Sequence, residues 1–302
     1  MRKTIPRVGP KTIVVLLGMA IRGGERREAE LALAHRVGYD AAEISMDGTG
    51  IIFGGHLHPR LLRDALEEFA RHDLVYTVHA PSSLDLRDRT HRDVQMLLAR
   101  STLEFCQRVG GRVLVLHFER QSPDPRDEEA FEDAVLRLSD DAGDRVTLAV
   151  ENIEVERVEP VVECVDRIGR PNVAMALDIG HAYLAASHFG VDFLETIKQA
   201  LPFIRHIHVN DNFGRYDPLR LENFTLYRTQ TPADTFPLGK GDLHLPVGWG
   251  AIPLRQAFAS LGGYEGIVIH EYRYPLFLAS AEEDCARARS LVHLVEQAGP
   301  AG

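Results

Sequence analysis

The chain has 302 residues, of which 45% are hydrophobic and 26% charged, enough apolar material for a large core, which excludes a disordered chain and a mini-protein. A formal charge of −10 supplies no global basic field for a nucleic acid, which is disfavoured as a partner. Three scattered cysteines, Cys106, Cys164 and Cys285, exclude a disulfide framework and a thiolate metal site, and they suit a reducing compartment.

Met1-Arg2-Lys3 ahead of an apolar run from Thr12 to Ile21 has the outline of a short signal peptide. Ile13-Val14-Val15-Leu16-Leu17 is β-branched and of strand length, and charged residues follow from Arg22 to Arg27, so we read a buried strand over 12–17 leading into a helix. No run reaches the roughly 18 apolar residues of a membrane span, and the expectation is a soluble, cytoplasmic protein with no membrane contact.

Strand-like runs then recur at 41–46, 74–79, 112–117, 146–151, 173–178, 205–209 and 266–271. Successive starts lie roughly thirty residues apart, one strand and one helix each, except before the last run, where the spacing is about double. Intervening segments at 25–36, 59–71, 91–109, 127–138 and 281–297 carry apolar residues at helical spacing. Eight buried strands alternating with amphipathic helices predict an α/β protein, a (β/α)8 TIM barrel forming a single domain over 1–302. An open doubly wound sheet is the alternative, but Gly18-Met19-Ala20-Ile21-Arg22-Gly23-Gly24 lacks the GxGxxG spacing that such a sheet carries after its first strand. The long interval holds an insertion after strand seven, 212–238, which reads as a lid over one end of the barrel.

Polar residues stand where these strands end, the rim on which barrel enzymes build their sites. The third run ends at His79 and the fourth at His117; the fifth ends in Glu151-Asn152 and the sixth in Asp178-Ile179-Gly180-His181. His206-Ile207-His208 and His270-Glu271 follow on the last two. One such histidine is ordinarily a hydrogen-bonded core residue. Six strands converging on imidazoles and carboxylates would leave costly buried charge without a cation, and Zn, Mn and similar ions bind that mixture. Asp242 and His244, two apart on a segment read as extended, point to one side and can share an ion. By the same alternation His206 shares the face of His208, deeper in the barrel, while His270 points away toward the helices. Glu43 is read either as a pocket-floor hydrogen-bond acceptor or as structural, and Trp249 either as a stacking surface for a sugar or as a pin for the lid.

The chain resembles the xylose-isomerase-like TIM-barrel superfamily, which includes endonuclease IV and the sugar phosphate isomerases and epimerases. The matching positions are His79, His117, Glu151, Asp178, His181, His208, Asp242, His244 and Glu271, with Leu177-Asp178-Ile179-Gly180-His181 and Gly248-Trp249-Gly250 in support. The resemblance implies that Glu151, Asp178, His208 and Glu271 hold one divalent ion in a sugar isomerase. In an endonuclease IV-like protein His79 and His117 would add a second ion and His181, Asp242 and His244 a third, so the cofactor is one to three ions per chain of Mn, Zn, Mg or Co.

Two reactions follow from that likeness. In a metal-dependent isomerase or epimerase acting on a small carbohydrate, Glu151 and Glu271 move the proton of an enediolate reaction, with Asn152, His181, Arg215, Trp249 and Arg273 as substrate-binding residues and either arginine as the seat of a phosphate or carboxylate. The alternative is a multinuclear-zinc phosphodiester hydrolase. Against it, Ser82, Asp85 and Leu243 stand where endonuclease IV has Tyr, Asn and Arg, and Phe118-Glu119-Arg120 replaces its small Gly-Ser turn. A barrel that only binds is disfavoured by the complete ligand set. By analogy with related isomerases, a homo-oligomer is left open.

Overall fold

The computed structural model describes residues 14–118 and 124–298. Eight parallel strands close on one another in the order β1 (Val15–Ile21), β10 (Gly266–His270), β9 (Ile204–Val209), β8 (Val173–Asp178), β7 (Thr147–Asn152), β6 (Val113–Phe118), β5 (Val75–His79) and β2 (Ala41–Ser45). Closure gives every strand two neighbours, so there is no edge to protect. The principal helices between them are α1 (Arg27–Val37), α2 (Pro59–Phe69), α3 (Arg92–Val109), α4 (Pro125–Ala142), α5 (Glu159–Ile168), α6 (Ile179–Phe189), α7 (Phe193–Ala200), α11 (Leu254–Ala259) and α12 (Ala281–Ala298). This is the expected (β/α)8 barrel.

Strands covered on both faces must be apolar throughout, and every residue of β8 is buried. Buried side chains between the strands and the helix layer fill one large core, including Leu17, Ile44, Leu114, Val150, Leu177 and Val268, while inward-facing residues form smaller clusters inside the barrel, one of Val113, Val115, Ala149 and Ala176 and one of Ala41, Ile267 and Ile269. Parallel register then aligns the strand ends: His117 lies opposite Glu151, Asp178 opposite His208, and Ser45 opposite His79. The polar residues are thereby gathered on one rim.

Three local expectations need correction. The first strand runs from Val15 to Ile21 rather than over 12–17, and Thr12 and Ile13 lie outside the described residues. It continues through Gly18 because that position needs a missing side chain: a Cβ there would stand 2.5 Å from Ile269 Cδ1 and 3.1 Å from the Ala41 carbonyl. A short antiparallel hairpin, β3 (Ile52–Phe53) and β4 (His56–Leu57), precedes α2 where no element was expected. The eighth strand ends at His270, leaving Glu271 in the loop beyond it.

The insertion folds as α8 (Leu219–Glu222), α9 (Phe224–Tyr227) and α10 (Pro232–Thr235). Arg220, Phe224, Tyr227 and Arg228 from it line the cavity at the barrel mouth, the position expected of a lid. Arg220 Nη1 fastens it by reaching Glu154 at 3.2 Å and Tyr227 Oη at 3.2 Å. Met1-Arg2-Lys3, Glu119 and Arg120 lie outside the described residues. No described helix is long and apolar enough to cross a membrane.

Candidate metal centre and active site

The rim encloses a cavity of about 280 Å³, walled by β1, β2, β5, β6, β7, the β10 end and the lid. Glu151 and Glu271 line it, and one ligand atom from each, with one each from the fully buried Asp178 and His208, lies within 4.8 Å of every other. His208 Nδ1 is 3.0 Å from Glu151 Oε1 and 3.1 Å from Glu271 Oε2. Asp178 caps α6, accepting from the His181 backbone N–H at 2.6 Å, and takes a second hydrogen bond at 3.1 Å from Asn210 Nδ2. Asn210 can come that close because residue 180 is glycine: a Cβ there would sit 2.0 Å from Asn210 Oδ1.

Two further groups adjoin the quartet. His79 Nε2 and His117 Nε2 face each other at 3.1 Å, and they lie 3.1 and 3.4 Å from Glu151 Oε2. The His79 tautomer is fixed by its Nδ1–H, which donates to the Ala80 carbonyl at 2.8 Å. With the ring neutral, this leaves the His79 Nε2 lone pair directed toward Glu151 and His117. On the other side, Asp242 Oδ2 is 2.7 Å from His244 Nε2 and 3.4 Å from His181 Nε2. His181 and His244 likewise turn their Nδ1–H groups onto carbonyls, those of Asn152 at 2.9 Å and Glu271 at 2.8 Å.

The electrostatics describe a site overloaded with charge. Burial pushes Asp178 up to about 6, against the pull of His181 and with added repulsion from Glu151 and Glu271. Burial opposes the charge of Glu271 as well, but His244 and His208 outweigh it and hold that carboxylate at about 2. For His79 burial favours the neutral ring, yet the hydrogen bond and charge of Glu151 raise it to about 9. His181 Nε2 and Asp242 Oδ1 are buried with no aligned hydrogen-bond partner. Nitrogen and oxygen donors of this kind, partly unsatisfied and mutually repelling, fit divalent ions.

Behind the quartet, Glu43 forms a further buried group with His206 and His208. It accepts from Thr77 Oγ1 at 2.9 Å, pairs with His206 Nε2 at 2.8 Å and lies 2.8 Å from His208 Nε2, off the line of a hydrogen bond. His206 faces inward and deeper than His208, as alternation requires. His270 faces outward, 2.9 Å from Tyr39 Oη.

Several expected substrate contacts fall elsewhere. Asn152 spends its amide on the Asp178 backbone, donating at 3.0 Å and accepting at 2.9 Å, and so ties β7 to β8. Arg215 donates to the Leu238 carbonyl at 2.9 Å on the exposed side of the lid. Trp249 is 45% exposed, packs on Phe277 and donates from Nε1 to Asp284 at 3.2 Å, which makes it a pin for the loop. None of the three lines the cavity; His181 and Arg273 do. Asp242 and His244 do meet, but by a different route from strand alternation: His244 has φ of 48°, a left-handed turn that swings its ring back onto Asp242. Arg22, Asp47, Glu154 and the lid residues Arg220 and Tyr227 also belong to the site or its lid, and nothing in their local sequence pattern marks them. The run Asn210-Asp211-Asn212 at a strand end was the one available signal. Asp211 organises the Gly248-Trp249-Gly250 loop by accepting from Gly248 N at 3.0 Å and Ile252 N at 3.2 Å.

Residues 31–292 match the family model described as xylose isomerase-like TIM barrel. The chain belongs to this family. No curated protein matches it in sequence. Among solved structures, a xylose isomerase domain protein from Planctomyces limnophilus superposes with a TM-score of 0.64 at 13% identity, covering 96% of this chain and 98% of that one. The D-allulose 3-epimerase of Methylomonas sp., solved with D-allulose, gives 0.64 at 13% identity over 93% and 97% of the two chains. The 3-keto-D-glucoside 4-epimerase of E. coli gives 0.65 at 14% identity over 92% and 100%. At such identities the likeness is one of fold. Within the xylose isomerase-like family, the reaction has to be argued from the site.

Proposed function

We propose that this chain is a divalent-metal-dependent isomerase or epimerase of a sugar or sugar phosphate, acting through an enediolate of the substrate. The observation that carries the reading is the quartet of Glu151, Asp178, His208 and Glu271, whose ligand atoms all lie within 4.8 Å of one another, with both glutamates lining the cavity. These four residues would hold the ion, Mn, Zn, Mg or Co, which when bound would polarise adjacent carbonyl and hydroxyl oxygens of the sugar. Glu151 and Glu271 are the bases: one takes the proton from the carbon beside the carbonyl and the other returns it. Both carboxylates are kept ionised by the histidines around them, as a base must be. His181, which lines the cavity, would bind a substrate oxygen, and Arg220 and Tyr227 would hold the lid that shields the enediolate from water. That two structural neighbours are epimerases of keto-sugars supports this reading.

One observation favours a second reading. The triads His79/His117/Glu151 and His181/Asp242/His244 are each assembled to the same tightness as the quartet, and three ions side by side suit phosphodiester hydrolysis. Incubation with keto-sugars in deuterated water, followed by NMR, tests between them. Deuterium uptake beside the carbonyl is expected; its absence for every keto-sugar, together with nicking of an abasic-site duplex, would establish the hydrolase instead.

A further inference from the structure

Metal holding and proton transfer leave the arginines of the cavity mouth without a task. Arg22 is the first residue beyond β1 and Arg273 the third beyond β10. These strands are neighbours with Met19 opposite His270, so each arginine stands three residues past the same register point. Both line the cavity beside His244 and Glu271. Arg273 is half-buried, and its Nε donates to the Leu243 carbonyl at 3.3 Å, which anchors the guanidinium at the rim. Arg228, following α9 in the lid, lines the same cavity.

The buried and half-buried arginines elsewhere among the described residues are matched with carboxylates, as Arg27 with Glu68, Arg87 with Glu128 and Arg220 with Glu154, and Arg273 is the one that is not. Among the described residues, Arg22, Arg228 and Arg273 form no ion pair. Cations on adjacent strand ends repel one another, and facing a shared cavity they are stabilised by an anion placed between them. A guanidinium offers a planar fork of donors that matches oxyanions. One carboxylate is satisfied by a single fork, whereas three arginines suit a dianion with three terminal oxygens.

We propose that Arg22, Arg273 and the lid residue Arg228 form a subsite for a phosphoryl group carried by the substrate. The substrate class is then a phosphorylated keto-sugar rather than a neutral one. This inference rests on the epimerase reading of the quartet and supplies its specificity. The phosphoryl group is held and no bond to it changes. Its contact with Arg228 draws the lid toward the barrel rim.

The test is calorimetric binding of a ketohexose, its 6-phosphate and the corresponding keto-sugar acid to the metal-loaded whole protein. The wild type should bind the phosphate at least tenfold more tightly than the neutral sugar, and this ratio should fall close to one in both Arg22→Met and Arg273→Met. Arg22 is exposed, so its variant reports even if the half-buried Arg273 variant fails to fold. Equal affinity for the two sugars, or a phosphate preference that survives both substitutions, would overturn the subsite. A preference for the keto-sugar acid over the phosphate would overturn the phosphoryl assignment. Deuterium uptake by the same ligands separates this result from the reaction: Arg-dependent phosphate binding without any exchange would defeat the epimerase reading alone, and exchange with no phosphate preference would defeat the subsite alone.

Discussion

Glu43 Oε1 lies 2.8 Å from His208 Nε2, the nitrogen opposite the one that faces Glu151 and Glu271. A carboxylate behind a metal-binding histidine orients the ring and raises its basicity. We propose the same positioning role for Glu43, which is itself held by Thr77 and His206. Glu43→Gln should weaken divalent metal binding by about 10- to 100-fold. Competition against a fluorescent chelator reads this without any turnover, and an unchanged affinity would leave Glu43 a purely structural residue.

Glu151 and Glu271 are assigned as the two bases. Glu151→Gln and Glu271→Gln keep side-chain size and remove the proton acceptor, and each should lower deuterium exchange at least about 100-fold. Elemental analysis of the same samples distinguishes a lost base from a lost ligand. Exchange retained in either variant removes that glutamate from proton transfer.

Metal content of protein purified without chelators decides between the two reactions. About one ion per chain, chiefly Mn, Mg or Co, accords with the quartet acting alone, whereas two or three zinc ions accord with all three groups acting together. Chelation should also lower the melting temperature, since an ion present at a hundred times its dissociation constant stabilises the fold by about 2.7 kcal/mol. A melting temperature indifferent to chelation would count against any tightly held ion.

His270 gives a pH dependence separate from the reaction. Burial in the apolar layer outside the barrel lowers it to about 3. The Val247 backbone N–H points at its Nε2 at 3.4 Å, so the ring proton sits on Nδ1, toward Tyr39. A second proton would face that N–H. The unfolded chain takes up this proton near pH 6.5 and the folded chain only near 3, so stability is full above about 6.5 and falls as pH drops through that window, by at most about 1.4 kcal/mol per unit. Urea unfolding at pH 7.5, 5.5 and 4.5 should show a steeper loss for the wild type than for His270→Gln. Equal slopes would mean that the ring is protonated within the fold.

The alternation of β-branched runs with helical spacing was enough to specify an eight-stranded barrel, because strand and helix periods are written locally along the chain. Histidines and acids at strand ends were equally legible, since a parallel barrel sends every strand's C-terminal end to one rim. The nine expected ligand positions do converge there. Which atoms meet was decided by closure and by single backbone angles. Gly18 extends β1 because β10 and β2 press against it, and the left-handed turn at His244 brings its ring to Asp242. Asn152, Arg215 and Trp249 look like substrate residues by type and place, yet each has a partner distant in sequence that occupies it. Arg22 and Arg273 are far apart along the chain and become neighbours only when β1 pairs with β10. The elements follow from neighbours in sequence; the chemistry of the mouth follows from neighbours in space, which only the closed barrel supplies.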